Sequence, residues 1–235
     1  MSGQIGAILR FAFIDARRSL SMFWSILITV MAIMLIIPLY FGIESGIYLG
    51  SQTAVFIFCA IFGFVGVKET LPYVIKMGGT RKNYWMALSF LLLLISLLMA
   101  IIHVSLVSVY SFLSEHLMNG EAKVFHLASF LNGNDYWYVR FYIDSAVCFM
   151  LLSGSFLFGL IFYRYGMIGG TIAIVLLNLL GFIPPVHALL LEIMEKYIVM
   201  FQWKVYGLFF GVALVLLIIS WFLIRKAPVS AYNGK

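Results

Sequence analysis

Residues 68–82, Lys-Glu-Thr-Leu-Pro-Tyr-Val-Ile-Lys-Met-Gly-Gly-Thr-Arg-Lys, form a polar island between two long apolar runs. The island holds Lys68, Lys76, Arg81 and Lys82, four of the fifteen Lys and Arg residues in the chain. Pro72 sits near the start of a short helix, where a missing N–H costs little. Gly78-Gly79 stops that helix, because glycine reaches the left-handed conformation that a C-terminal cap needs. The stretch therefore predicts a short helix, a tight turn and a new helix starting at Thr80 or Asn83. Such a piece does not sit in lipid. It lies on one face, against water or another protein.

The runs on either side set the class. The 235 residues are 64% hydrophobic and only 10% charged, with a mean hydropathy of +1.08. Soluble domains carry about 25% charged residues. The composition is that of an all-α, polytopic membrane protein. The net charge of +6 does not point to nucleic acid, because the basic residues are scattered at the ends of apolar runs, where they orient membrane helices. Cys59 and Cys148 both fall inside apolar runs and read as small core residues, with no disulfide or metal pattern. No cleavable signal peptide is evident before the first apolar run.

Six spans are predicted, at 22–41, 52–67, 83–113, 141–163, 166–182 and 205–224 of a single transmembrane domain, 1–235. Each approaches or exceeds the roughly 20 residues that cross the hydrocarbon core. Residues 1–21 alternate apolar and polar at helical spacing, with Ile5, Ile8, Leu9, Ala12 and Phe13 near one face. This predicts an interfacial helix in the headgroup plane, since an uninterrupted helix of that length would carry Arg17 and Arg18 toward lipid. Residues 114–140 read as a polar loop whose Tyr136-Trp137-Tyr138 suits a membrane interface. Arg164 marks a tight turn. Pro184-Pro185 breaks the fifth span, and 187–204 is amphipathic.

Six crossings put both termini on one side. That side then holds Arg10, Arg17, Arg18, Lys68, Lys76, Arg81, Lys82, Arg164, Arg225, Lys226 and Lys235. The other holds Lys123, Arg140, Lys196 and Lys204. The excess of basic residues places the termini and the island in the cytoplasm.

Little in the chain points to catalysis. There is no Gly-rich loop followed by Lys-Ser or Lys-Thr, and no His-Glu-x-x-His. His103, His116, His126 and His187 are far apart, with no carboxylate at ligand spacing, so no metal site is expected. Ser153-Gly154-Ser155 in the fourth span offers one enzymatic alternative, a rhomboid-like intramembrane protease. No histidine lies in a later span, and these small residues read better as a packing face. His103 and Asp144 are the ionisable residues at or within spans, a costly placement that marks possible pathway residues. Each also has a structural reading: His103 bonded to a neighbouring helix, and Asp144 paired with Arg140 one turn away.

The amphipathic N-terminus, the six spans and a first cytoplasmic loop ending Met77-Gly78-Gly79-Thr80-Arg81-Lys82-Asn83-Tyr84 resemble the permease subunits of type-2 ATP-binding cassette exporters. The likeness is strongest to small Gram-positive members that export peptide toxins and antimicrobial peptides, the phenol-soluble modulin exporters among them. Gly79 stands where many of those members have valine or another residue. The resemblance implies a division of labour. A separate ABC ATPase subunit binds and hydrolyses ATP, so this chain is not itself an enzyme and holds no cofactor. The island corresponds to a coupling helix, with Glu69, Leu71, Tyr73, Val74, Ile75, Lys76, Met77, Arg81 and Lys82 facing the ATPase. A second permease chain, identical or related, completes the pathway. The cargo is an amphipathic peptide or another hydrophobic molecule, and the location is a bacterial plasma membrane. A sensor or immunity subunit that docks an ATPase without transporting remains the other reading.

Overall fold

The computed structural model describes residues 2–41, 47–118, 122–130, 136–193 and 203–228. Its elements are α1 (Ser2–Phe41), β1 (Ile47–Leu49), α2 (Ser51–Lys76), α3 (Arg81–Met118), β2 (Ala122–Val124), α4 (Trp137–Phe182), α5 (Pro184–Ile193) and α6 (Trp203–Arg225), with a 3-10 turn at Leu127–Phe130. Five of the helices, α1, α2, α3, α4 and α6, are long and apolar enough to cross a membrane.

Where the sequence predicts an interfacial helix followed by a separate span, α1 runs unbroken for 40 residues, about 60 Å at 1.5 Å per residue. The reason lies in its inward stripe. Ile8, Ala12, Ala16, Trp24, Leu27, Met31 and Leu35 are all buried and keep helical spacing across residue 21. The serines there do not break the helix either. Ser21 donates to the Arg18 carbonyl at 2.9 Å and Ser25 to the Ser21 carbonyl at 2.8 Å, so each hydroxyl is satisfied by its own helix.

The island forms the last turns of α2, the second span continuing into it. Pro72 sits inside α2. The end is a Schellman cap: Gly79 N–H donates to the Val74 carbonyl at 2.9 Å and Gly78 N–H to the Ile75 carbonyl at 3.0 Å, with Gly78 at φ 82°. That φ strains any residue with a Cβ, and a Cβ on Gly79 would press on Val74. Thr80 then caps α3, its Oγ1 accepting from Asn83 N–H at 3.3 Å, the role that threonine fills at a helix N-cap.

Helix α4 is interrupted at Gly166, whose φ of 69° and ψ of −170° are not helical. A Cβ on Gly170 would meet the ring of Phe162. Along an unbroken helix those positions are about 12 Å apart. The chain therefore folds back at Gly166, and Phe158, Phe162 and Ile174 line one groove from its two arms. The predicted turn at Arg164 comes two residues later. Pro184 and Pro185 open α5, where their missing N–H groups are not needed.

The core joins α1, α2, α3, α4 and α6. Gly63 and Gly159 bring α2 and α4 together so closely that added Cβ atoms would strike Leu152 and the Phe64 carbonyl, the use that membrane helices make of small residues. Trp85 on α3 donates to the Leu217 carbonyl of α6 at 2.9 Å. Cys59 and Cys148 are fully buried. Two parallel three-residue strands, with Ile47 opposite Ala122 and Leu49 opposite Val124, occupy segments that the sequence reads as loops. Three residues are too few for periodicity to register.

Candidate functional site

Two regions concentrate polar chemistry, one at each end of the helices. At the first end four parts of the chain meet. Gln4 of α1 donates to the Gly78 carbonyl at 3.5 Å and accepts from the Asn83 amide at 2.6 Å. Arg81 donates to the Ala227 carbonyl at 2.8 Å, and Tyr163, just before the Gly166 bend, donates to the Pro228 carbonyl at 3.1 Å. The start of α1, the α2–α3 turn, the α4 bend and the segment after α6 are thereby joined. Lys68, Lys76 and Lys82 are exposed here and Arg81 is half-buried.

The predicted coupling residues divide at this end. Leu71 and Val74 belong to the core, at 0% and 4% exposure. Ile75 is half-buried. Tyr73 and Met77 are exposed, at 46% and 72%, and Glu69 and Lys76 are exposed beside them. Tyr73 stacks on Phe11 with ring centroids 4.5 Å apart. Phe11, Tyr73 and Met77, with Gln4, Ala7 and Ile8, line a groove of about 320 Å³ between α1 and α2. Only one face of the island is thus presented outward, because α2 continues straight through it and buries the other.

At the opposite end the structure gathers Ser51 and Gln52 from α2, His103 from α3, Asp144 from α4 and His126 from the connection between them. All five are buried. Asp144 Oδ1 accepts from the Gln52 amide at 2.7 Å. Its Oδ2 lies 2.6 Å from His103 Nδ1 and 3.3 Å from His126 Nε2. The Ala128 N–H donates to His126 Nδ1 at 3.0 Å, so that nitrogen carries no proton and Nε2–H is the donor toward Asp144. His103 Nε2 is hydrogen-bonded to the Ser51 hydroxyl at 3.0 Å. Gln52 Oε1 accepts from Leu127 N–H at 2.8 Å. Each polar group in the cluster has a partner, as low-dielectric burial requires.

The structure bonds His103 to its neighbouring helices, as its structural reading expects, through Asp144 of α4 and Ser51 of α2. Asp144, expected beside Arg140, instead turns its carboxylate to Gln52 and the two histidines. Ser51, Gln52 and His126 were not singled out. The one signal was the Ser-Gln pair opening an apolar run, since polar side chains at membrane depth carry a cost. His126 gave none, being 18 positions from its partner.

His103, His126 and Asp144 present ligand atoms within 4.8 Å of one another, a grouping invisible in the sequence. The geometry favours hydrogen bonding over coordination. Ligands around a tetrahedral zinc sit about 3.3 Å apart for metal–ligand bonds near 2 Å, whereas His103 and Asp144 approach to 2.6 Å. A metal on His126 Nε2 would also require a proton on Nδ1, the atom that accepts from Ala128. The order Ser51–His103–Asp144 matches the hydroxyl–imidazole–carboxylate sequence of hydrolytic triads. Ser51 is 2% exposed, so its hydroxyl is closed to a substrate in this conformation. Ser153 is fully buried, and Ser155 donates to the Leu151 carbonyl of its own helix at 2.7 Å.

No known protein family, curated protein or solved structure matches the chain.

Proposed function

We propose that the protein is the membrane-embedded permease subunit of an exporter driven by a separate ATPase, as its resemblance to type-2 ATP-binding cassette permeases implies. The two arms of α4 each count as a crossing, giving six with α1, α2, α3 and α6. Both termini and the basic end then lie in the cytoplasm of a bacterial cell. The observation that carries this reading is the convergence at that end. The chain start, the α2–α3 turn, the Gly166 bend and the residues after α6 are bonded together around exposed Tyr73, Lys76 and Met77. A push on the α2 tip is passed directly to four helices, which is what coupling to a soluble motor demands. Differential affinity of two such arrangements for cargo then drives transport. A second permease chain, and an amphipathic peptide or other hydrophobic cargo, complete the proposal.

The test is ATPase activity that co-purifies with the intact chain from its native membrane. Tyr73→Glu and Met77→Glu are expected to abolish vanadate-sensitive ATP hydrolysis in the purified material. Tyr136→Glu, at the other end, is expected to leave it intact. Unchanged activity in the first two variants contradicts the docking role.

The Ser51–His103–Asp144 order favours a second reading, a membrane hydrolase with Ser51 as nucleophile. Labelling by a fluorophosphonate that is lost in Ser51→Ala supports it; no labelling of the native chain removes it.

A further inference from the structure

A proton added to the Asp144 cluster can be placed by following its donors and acceptors. His126 Nδ1 accepts from the Ala128 N–H at 3.0 Å, so a proton there sets N–H against N–H and loses that bond. Both oxygens of Asp144 already face donors: the Gln52 amide at 2.7 Å on Oδ1, and His103 Nδ1 at 2.6 Å and His126 Nε2 at 3.3 Å on Oδ2. The Gln52 amide is held in that sense, because its Oε1 accepts from Leu127 N–H at 2.8 Å. His103 Nε2 is different. Its partner is the Ser51 hydroxyl at 3.0 Å, and a hydroxyl donates or accepts by rotation. A proton on Nε2 therefore keeps the bond and reverses its direction. Wherever the inner proton sits along the short His103–Asp144 bond, the one gained is on Nε2.

The added charge is compensated. With both histidines neutral and Asp144 ionised, the cluster carries one net negative charge, and ionisable groups at membrane depth carry a cost that marks function. Protonation of His103 brings the cluster to zero, with the opposite charges 2.6 Å apart. The N-terminus of α2, at Ser51, opposes a cation, but with about half an elementary charge against the full charge of the carboxylate. The other titratable groups around the cluster are cations, thiols and phenols. On α4, Arg140 stands one turn before Asp144 and Cys148 one turn after it, the thiol buried against Cys59 of α2. On β2, Lys123 is exposed, and α6 brings Tyr206 against Tyr142 of α4. None of these gains or loses a proton where an ordinary imidazole does.

We propose that the cluster is a proton-binding site, loaded at His103 Nε2 through Ser51, with Asp144 holding the imidazolium and Gln52 and His126 holding Asp144. Ser51 lies in the first turn of α2, next in sequence to the exposed Gly50, so the proton comes from water at the end of the molecule opposite the basic one. The same carboxylate ties α2, α3, α4 and the connection that carries His126. Gain or loss of the proton thus bears on four segments at once, and this end of the molecule responds to pH. The site does not depend on the ATPase reading, because proton binding requires no nucleotide and no partner subunit. A hydrolase would use the same Nε2 as a base, and fluorophosphonate labelling of Ser51 tells that role apart.

The experiment is nitrogen NMR of the full chain in phosphatidylcholine bilayers, with isotope-labelled imidazoles, across about pH 5–8. His103→Gln and His126→Gln assign the signals. In the native chain His103 Nε2 is expected to pass from acceptor to protonated as the pH falls, while His126 Nδ1 stays unprotonated throughout. Ser51→Ala removes the acceptor of the new N–H, and Asp144→Asn removes the compensating charge. Each is expected to abolish the His103 change in that range, and Ser51→Thr, which restores a hydroxyl, is expected to return it. If the disruptive variants do not fold, the native chain alone decides, through the order of its two histidines. A His103 Nε2 that keeps one state over the whole range, a His126 Nδ1 that takes the proton first, or an unchanged titration in Ser51→Ala overturns the proposal.

Discussion

At the scale of single residues, Asp144 decides most. Its carboxylate is fully buried and takes donors from α2, α3 and the connection before α4. Removing it strands three buried polar side chains together, and breaking one partner of such a cluster costs about 3–5 kcal/mol. Asp144→Leu is expected to lower the thermal unfolding midpoint sharply, and His103→Leu less so. The two changes combined are expected to cost less than their sum by about 1 kcal/mol or more, because each removes the other's stranded partner. Additive losses in that double-mutant cycle would show the contact to be incidental. The cluster was nearly illegible in the sequence. Gln52 and Asp144 lie 92 positions apart and His103 and Asp144 lie 41 apart, and no local rule reaches that far. The α2–α3 turn was readable for the opposite reason. Gly78, Gly79 and Thr80 act on backbone groups within four residues of themselves, so their chemistry is written locally.

At the scale of elements, the apolar runs announced the long helices, and their breaks were legible wherever a glycine or proline made them. Gly166 is the instructive case. The basic Arg164 drew the predicted turn, but the reversal falls on the residue whose φ is positive. If the arms of α4 lie side by side, Phe158 and Ile174 are neighbours. Cysteines at those two positions, in a background with Cys59 and Cys148 replaced by alanine, are expected to form an intramolecular cross-link with a short bis-maleimide. A straight helix would hold them about 24 Å apart, and failure to cross-link would remove the bend. Along α1 charge and periodicity point to different structures, and periodicity prevails. Arg17 and Arg18 argued for a break, yet the buried stripe from Ile8 to Leu35 passes them on the other face. The short strands β1 and β2 leave no local signal, because each is defined by its pairing with the other.

At the scale of the whole molecule, one end is basic and bonded across four chain segments, while the other carries the buried Asp144 cluster beneath β1, β2 and the 3-10 turn. The excess of Lys and Arg at the first end predicts that it faces the cytoplasm, and the proposed ATPase docking depends on that orientation. The most direct measurement is the accessibility of single cysteines to a membrane-impermeant maleimide in intact cells. With the native cysteines replaced, Lys76→Cys at the tip of α2 is expected to react only after permeabilisation, while Tyr136→Cys before α4 is expected to react from outside. Labelling of Lys76→Cys in intact cells would invert the molecule and contradict the account.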